Sequence, residues 1–308
     1  MVLRRRDIIT TLVSAVALSR AVPASAQPFL LRPEDTLDLA PPPLIPPPPA
    51  PSVPAPQAAT ELPIWRRNAV AVTMNDDRPK IAVVIDDMGA THPYTAQAVA
   101  LPGPLTLAWF PFAPSLADQI RGASRRGHEA LLHMPMQAFS NSTAQTGPDP
   151  LRIDLPPSVN LARLRAALDA VPDIVGLNNH MGSVATRDVA LMDIVAHETR
   201  ERGMLFLDSV TIPHSVALLR AELAGVPAAA RDVFIDHMAD SSVIRGQLAS
   251  IEAQARHYGY AIAIGHPRPH TLEALEAWLP TLEAKGFVLW PIAATVALRN
   301  RIDLSQRA

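Results

Sequence analysis

One stretch, Lys80-Ile81-Ala82-Val83-Val84-Ile85-Asp86-Asp87-Met88-Gly89, constrains the fold more than any other part of the chain. Apolar, mostly β-branched residues run unbroken from Ile81 to Ile85 and stop at two adjacent carboxylates and a turn glycine. A strand that is apolar on both faces needs cover on both, as a parallel strand in an α/β domain has. Asp86 and Asp87 then stand at its C-terminal end, the edge where α/β sheets and barrels assemble their sites. Side chains alternate along a strand, so the two carboxylates start out pointing apart and are free to take different roles. Taken alone, Asp-Asp-x-Gly is equally a turn carrying helix-capping acids. The pattern carries more weight because it recurs.

From Lys80 onward the sequence alternates strand and helix signals. Strands are expected at Leu105–Phe110, Glu129–His133, Ile174–Asn178, Met204–Leu207, Val233–Ile235, Tyr260–Ile264 and Phe287–Trp290. Helices are expected from Ser115 to Gly127, with a Ser115/Asp118 capping box, and from a Ser158 cap to Pro172. Further helices are expected over Thr186–Arg202, Ser242–His257 and Thr271–Leu282, and residues 138–157 read as a long loop. Seven or eight strands joined by helices favour a (β/α) barrel over a doubly wound sheet.

The N-terminal part is different. Arg4, Arg5 and Arg6 precede an apolar stretch from Ile8 to Leu18, and Ala24-Ser25-Ala26 follows as a cleavage site. The stretch is too short to span a bilayer comfortably, so residues 1–26 read as a cleaved export signal leaving no integral membrane segment. Arg5-Arg6 fits a twin-arginine signal, and a Sec signal looks similar. The protein is therefore expected in the periplasm. Ten prolines fall within residues 41–56, a run that stiffens into polyproline II about 50 Å long. It serves as a spacer, or as a ligand for an envelope protein with a proline-binding groove. Residues 27–79 thus read as linker and 80–308 as the folded domain.

Composition narrows the chemistry. A formal net charge of −2 gives no electrostatic reason to expect nucleic acid or an anionic membrane as partner. Cysteine is absent, so metal chemistry has to use His, Asp and Glu. Most expected strands end on such a residue: Asp86-Asp87, His133, Asn178-Asn179-His180, Asp208, Asp236-His237 and His266. Singly each has a dull explanation as a cap or a satisfied hydrogen bonder. A barrel would bring them to one face, where an oxygen-and-imidazole cluster suits zinc or a similar divalent ion.

These motifs resemble the divergent polysaccharide deacetylases, distant relatives of the NodB-type carbohydrate deacetylases with a deformed (β/α) barrel of seven or eight strands. Ile85-Asp86-Asp87-Met88-Gly89 matches the first motif of that fold, Gly127-His128-Glu129 through His133 the second, and Ala261 to His266 the fifth. Gly176–Ser183 and Ala228–His237 resemble segments of the divergent branch. The resemblance implies Asp86 as catalytic base, Asp87 and His133 as metal ligands and His266 as general acid. Four residues after His133, where the NodB motif has its second metal histidine, stands Gln137, and a neutral amide is a poor zinc ligand. Either His180 moves in as the third ligand, or the metal binds weakly or not at all. The segment from Asn178 to Gly182 also lacks the arginine that NodB-type enzymes place near the base.

The leading expectation is a zinc-type hydrolase removing acetyl groups from N-acetylated sugars of an envelope polysaccharide. Gln137, Asn179, Asp208 and Asp236 are expected to support the site or bind sugar. The alternative from another class is an inactive glycan-binding scaffold on the same fold, which Gln137 favours. A phosphoryl-transfer site ranks last, because the only lysines, Lys80 and Lys285, lie at no strand's C-terminal end.

Overall fold

The computed structural model describes residues 61–73, 75–89, 94–139 and 146–304. The expected signal, residues 1–26, and the proline-rich run lie outside them.

Among the described residues nine strands form one sheet: β1 Lys80–Met88, β2 Thr106–Trp109, β3 Glu129–Met136, β4 Gly176–Met181, β5 Leu205–Asp208, β6 Ala228–Ala230, β7 Val233–Phe234, β8 Tyr260–Gly265 and β9 Val288–Leu289. Their spatial order is β6-β5-β4-β3-β2-β1-β8-β7, with β9 on β1, and every pairing is parallel. The helices are α1 Ile64–Arg67, α2 Thr95–Ala100, α3 Leu116–Ser124, α4 Pro157–Ala170, α5 Val189–Glu201, α6 Ala217–Leu223, α7 Ser241–Tyr258, α8 Pro269–Trp278 and α9 Ile292–Arg299. No described helix is long and apolar enough to cross a membrane.

The sheet curls into a half-barrel whose two edges, β6 and β7, share no ladder. The chain itself bridges them. Arg231 N–H donates to Asp208 O beside β6, and the next residue, Asp232, donates to Ile262 O on β8. This explains why a barrel-type sequence gives a deformed barrel: two residues between two short strands leave no room for a crossover helix.

Burial on two faces accounts for the apolar strands. Ala82, Val84, Ala108, Leu131, Leu205, Leu207, Ala229, Ile262 and Ile264 form an inner cluster. Ile81, Val83, Ile85, Leu107, Leu132, Phe206, Ala261 and Ala263 face the outer layer of helices. The inner cluster is closed from below by Ile292, Ala293, Val296 and Ala297 of α9 and by Trp65 of α1.

That last contact corrects the expected boundary at Lys80. Trp65 is 3% exposed. Its N–H donates to Gly203 O, Asn68 Nδ2 to Ile174 O and Val70 N–H to Glu129 Oε1. Residues 62–70 are therefore built into the domain rather than into a linker.

The expected caps also differ. Ser115 precedes α3 with φ 49° and makes no side-chain cap, and Ser158 lies inside α4, which opens at Pro157. Asp188 caps α5 and Asp240 caps α7 instead.

Candidate functional site

The inner column of each strand runs upward into the site. Asp86 follows Ala82 and Val84, His133 follows Leu131, and His266 follows Ile262 and Ile264 at intervals of two. Asp87 would by the same rule face outward. It turns inward because its backbone is left-handed, φ 58°, where the β1–β2 register breaks between Ile85 and Met88. Aspartate is among the non-glycine residues that tolerate this conformation best. Gly89 completes the turn with φ 117°, and a Cβ there would lie 2.4 Å from that of Ala113. Only glycine fits.

Asp87, His133 and His180 converge. His133 Nε2 and His180 Nδ1 each lie 3.1 Å from Asp87 Oδ1 and 3.1 Å from one another. Ligand atoms about 2.0–2.1 Å from a tetrahedral ion are about 3.3 Å apart, so this triangle suits a small divalent metal. The donor set points the same way, since the atoms turned to the centre are two imidazole nitrogens and a carboxylate oxygen, ligand types that zinc takes. The His133 and Asp86 side chains are nearly fully buried, at 2% and 3% exposure, while His180 and Asp87 reach 12% and 14%, which leaves the triangle open on one side. Phe110 walls the cluster, its ring centroid 4.7 Å from that of His180 and 5.3 Å from that of His133.

Asp86 stands beside this triangle, with Oδ2 3.8 Å from His133 Nε2. Burial pushes its carboxyl above the ordinary carboxylate range, against the pull of His133, His266 and an Asn178 hydrogen bond. Asn178, fully buried, donates from Nδ2 to Asp86 Oδ1 at 2.7 Å and to Ser209 Oγ at 3.2 Å. Its Oδ1 accepts from His133 Nδ1 at 2.8 Å.

On the other side His266 Nδ1 meets Asp236 Oδ1 at 2.9 Å, which leaves Nε2 toward Asp87 Oδ2 at 4.0 Å. Asp236 has no exposure and accepts also from the His266 N–H and from Thr271 Oγ1. Burial opposes the His266 cation, yet Asp236, with Asp87 and Asp86 beyond it, holds the imidazole above its ordinary pKa. Asp236 itself, against the cost of burial, is held below the usual range by His266 and Thr271.

Three residues expected to support the site bond to the loops around it rather than to the metal triangle. Gln137 Oε1 accepts from Ile153 N–H, and its carbonyl accepts from Val184 and Ala185, so it staples loops together. β3 continues to Met136, and four residues along a strand is about 13 Å. Gln137 therefore lies too far along to replace a ligand beside His133. Asn179 holds the Ser209 N–H and the Met181 carbonyl. Asp208 pins the following loop through Val210 N–H and Ser215 Oγ.

Phe110 and Arg231 are additions that the sequence did not single out, and Asn178, named there only as a strand end, gains a partner on each side. Arg231 donates to the carbonyls of Ser209 and Val210. Burial pulls its guanidinium down against the nearby charges of Asp86, Asp208 and Asp232. The parity of β4 could have pointed to Asn178, which shares a face with His180. Nothing local marks Arg231.

Residues 83–296 match the sequence profile of the divergent polysaccharide deacetylases. An uncharacterised protein of Haemophilus influenzae is 37% identical over 203 residues, which are 66% of this chain and 72% of that one. YibQ of Escherichia coli, also uncharacterised, is 35% identical over 197 residues, 64% of this chain and 61% of its own length. Among solved structures, an uncharacterised protein of Agrobacterium tumefaciens aligns with a TM-score of 0.74 at 25% identity, covering 77% of this chain and 97% of that one. A putative cellobiose-phosphate cleavage protein of Enterococcus faecalis gives 0.53 at 11% identity over 71% of this chain and 99% of its own, a likeness of fold alone. The matched stretch runs from inside β1 into α9 and so includes every residue of the cluster, and the chain belongs to the divergent polysaccharide deacetylase family.

Proposed function

We propose that the domain is a metal-dependent hydrolase that removes acetyl groups from N-acetylated sugars of an envelope polysaccharide. One observation carries this reading: the Asp87–His133–His180 triangle has a buried carboxylate, Asp86, on one side and an aspartate-held imidazole, His266, on the other. Asp87 Oδ1, His133 Nε2 and His180 Nδ1 would hold a divalent ion, with zinc suited to two imidazoles and one carboxylate. Such an ion supplies Lewis acidity to the amide carbonyl and makes water a stronger acid.

The chain's own groups then move the protons. Asp86 uses its free Oδ2 to take one from the attacking water, and its raised pKa makes it a better acceptor near neutrality. As the water oxygen bonds to the acetyl carbon and the C–N bond breaks, His266 Nε2 delivers a proton to the departing amine. Asp236 favours the cationic imidazole that this step requires. Acetate and a free amino sugar result. Phe110 screens the two histidines from bulk water.

The scaffold reading leaned on Gln137, which serves as a loop staple, and the hydrolase reading needs no ligand from it. Export rests on residues 4–26, and we place the enzyme in the periplasm on that ground.

The test uses protein recovered from periplasmic extracts of the native host, where the mature chain should begin at Gln27. Its zinc content and its acetate release from chito-oligosaccharides are measured beside His180→Ala. The variant should lose metal and turnover together. Wild-type protein that takes up no divalent ion after supplementation, or that binds the oligosaccharides without releasing acetate, would overturn the reading.

A further inference from the structure

Asn178 joins the two halves of the centre. Its amide sits with no solvent exposure between Asp86 and His133 and bonds to both, at 2.7 and 2.8 Å. An amide has a fixed polarity, a carbonyl oxygen that only accepts and an NH2 that only donates. Two acceptors, Asp86 Oδ1 and Ser209 Oγ, lie on one side of it and a ring nitrogen on the other. Turned over, it would set its oxygen against the Asp86 carboxylate. The neighbouring Asn179 secures this choice, because its Oδ1 holds the Ser209 backbone N–H and so fixes where the Ser209 hydroxyl stands.

We propose that Asn178 is the positioning residue of the centre, setting the tautomer of His133 and the reacting oxygen of Asp86 at once. The inference rests on the hydrolase reading above, and the amide's role has two parts. Its oxygen accepts only from a protonated His133 Nδ1, so Nε2, directed at Asp87 and His180, is the nitrogen kept for a metal. Its NH2 occupies Asp86 Oδ1, so Oδ2 is the oxygen left to take a proton. A neutral amide does this without adding charge between two groups whose charges matter.

The first test reads the protein without metal. Long-range nitrogen–proton correlation spectra of the metal-free wild type, recorded at a pH where the His133 ring is neutral, should give the Nδ1–H tautomer, and Asn178→Leu should give a mixture or the other tautomer. Zinc affinity measured by calorimetry with zinc chloride should fall about 10–100-fold in the same variant, the usual cost of losing a ligand's partner. An unchanged tautomer and affinity in Asn178→Leu would reduce Asn178 to a packing residue and sink the proposal.

Should the leucine variant fail to fold, Asn178→Asp keeps the shape and turns the donor facing Asp86 into an acceptor. It should retain the Nδ1–H tautomer and zinc, yet lose about 10²-fold in kcat on chito-oligosaccharides with little change in KM. Wild-type kcat in this variant would overturn the proposal. A wild type that binds zinc but shows no turnover refutes the hydrolase reading instead, and the tautomer measurement then decides the role of Asn178 by itself.

Discussion

Asp86 and Glu129 are both buried carboxylates on one sheet, the first at the C-terminal end of β1 and the second at the N-terminal start of β3. Burial raises both above the ordinary range. Their partners separate them. Glu129 accepts backbone N–H groups from Val70 and from Ala293 at the first turn of α9, and so ties two chain segments to the floor of the barrel. A carboxylate at a helix N-terminus also meets the positive end of the dipole. Asp86 has one neutral amide on Oδ1, imidazoles nearby, and an oxygen uncommitted to any backbone group. The floor saturates its charge with fixed donors and gains rigidity. The mouth leaves its charge incompletely met, which is the condition of a group that must exchange a proton.

Substitutions at the two ends should therefore fail in different ways. Asp86→Asn should cost about 10²–10⁴-fold in turnover, the usual contribution of a general base, while metal content and melting temperature stay near wild type. A large loss of stability there would mean that Asp86 is structural and the contrast false. At the floor, Trp65→Ala should destabilise by about 3–5 kcal/mol in urea titration, as expected for emptying a buried aromatic site. Its turnover below the unfolding range should be preserved. A shift of less than about 1 kcal/mol would restore the view of residues 62–70 as linker.

The third and smallest effect is pH dependence. Burial pushes Glu129 from 4.5 up to about 7, against the pull of the N–H donors from Ala293, Val70 and Ile292. Between those values the unfolded chain has released the proton and the folded one retains it. Stability from this group is thus complete below pH 4.5 and is lost as pH rises to about 7, on the order of 3 kcal/mol in all. Unfolding free energies across that range should show the fall in wild type, and Glu129→Gln should flatten it. Equal slopes for the two proteins would place the proton elsewhere.

Much of this was legible in the sequence, because it depends on patterns that a strand or helix imposes locally. Apolar runs ending in Asp86-Asp87, His133 and His266 set the parallel strands, their direction and the end that carries chemistry. The match of motifs brought the fold family with it. Elements without such a pattern were missed. β6 is three alanines, good helix formers held as a strand by pairing with β5 and by Arg299 and Asn300 bonding to its carbonyls. α9 is buried nearly all round, so it shows no amphipathic period to read.

The site divides in the same way. Sequence identified Asp87, His133 and His180 as candidates by residue type and by their place at strand ends. Whether they meet was a matter of tertiary structure: the left-handed turn at Asp87 and the register that sets Pro135 opposite His180 bring the three atoms to 3.1 Å. The roles of the amides were decided there too. Gln137 and Asn178 have equivalent side-chain chemistry, and only the length of β3 and the parity of β4 put one in a loop and the other between the base and a ligand. Local sequence specifies which groups a strand end offers. Which of them share a cavity depends on curvature, register and bulges summed over the whole sheet, and no short stretch encodes that.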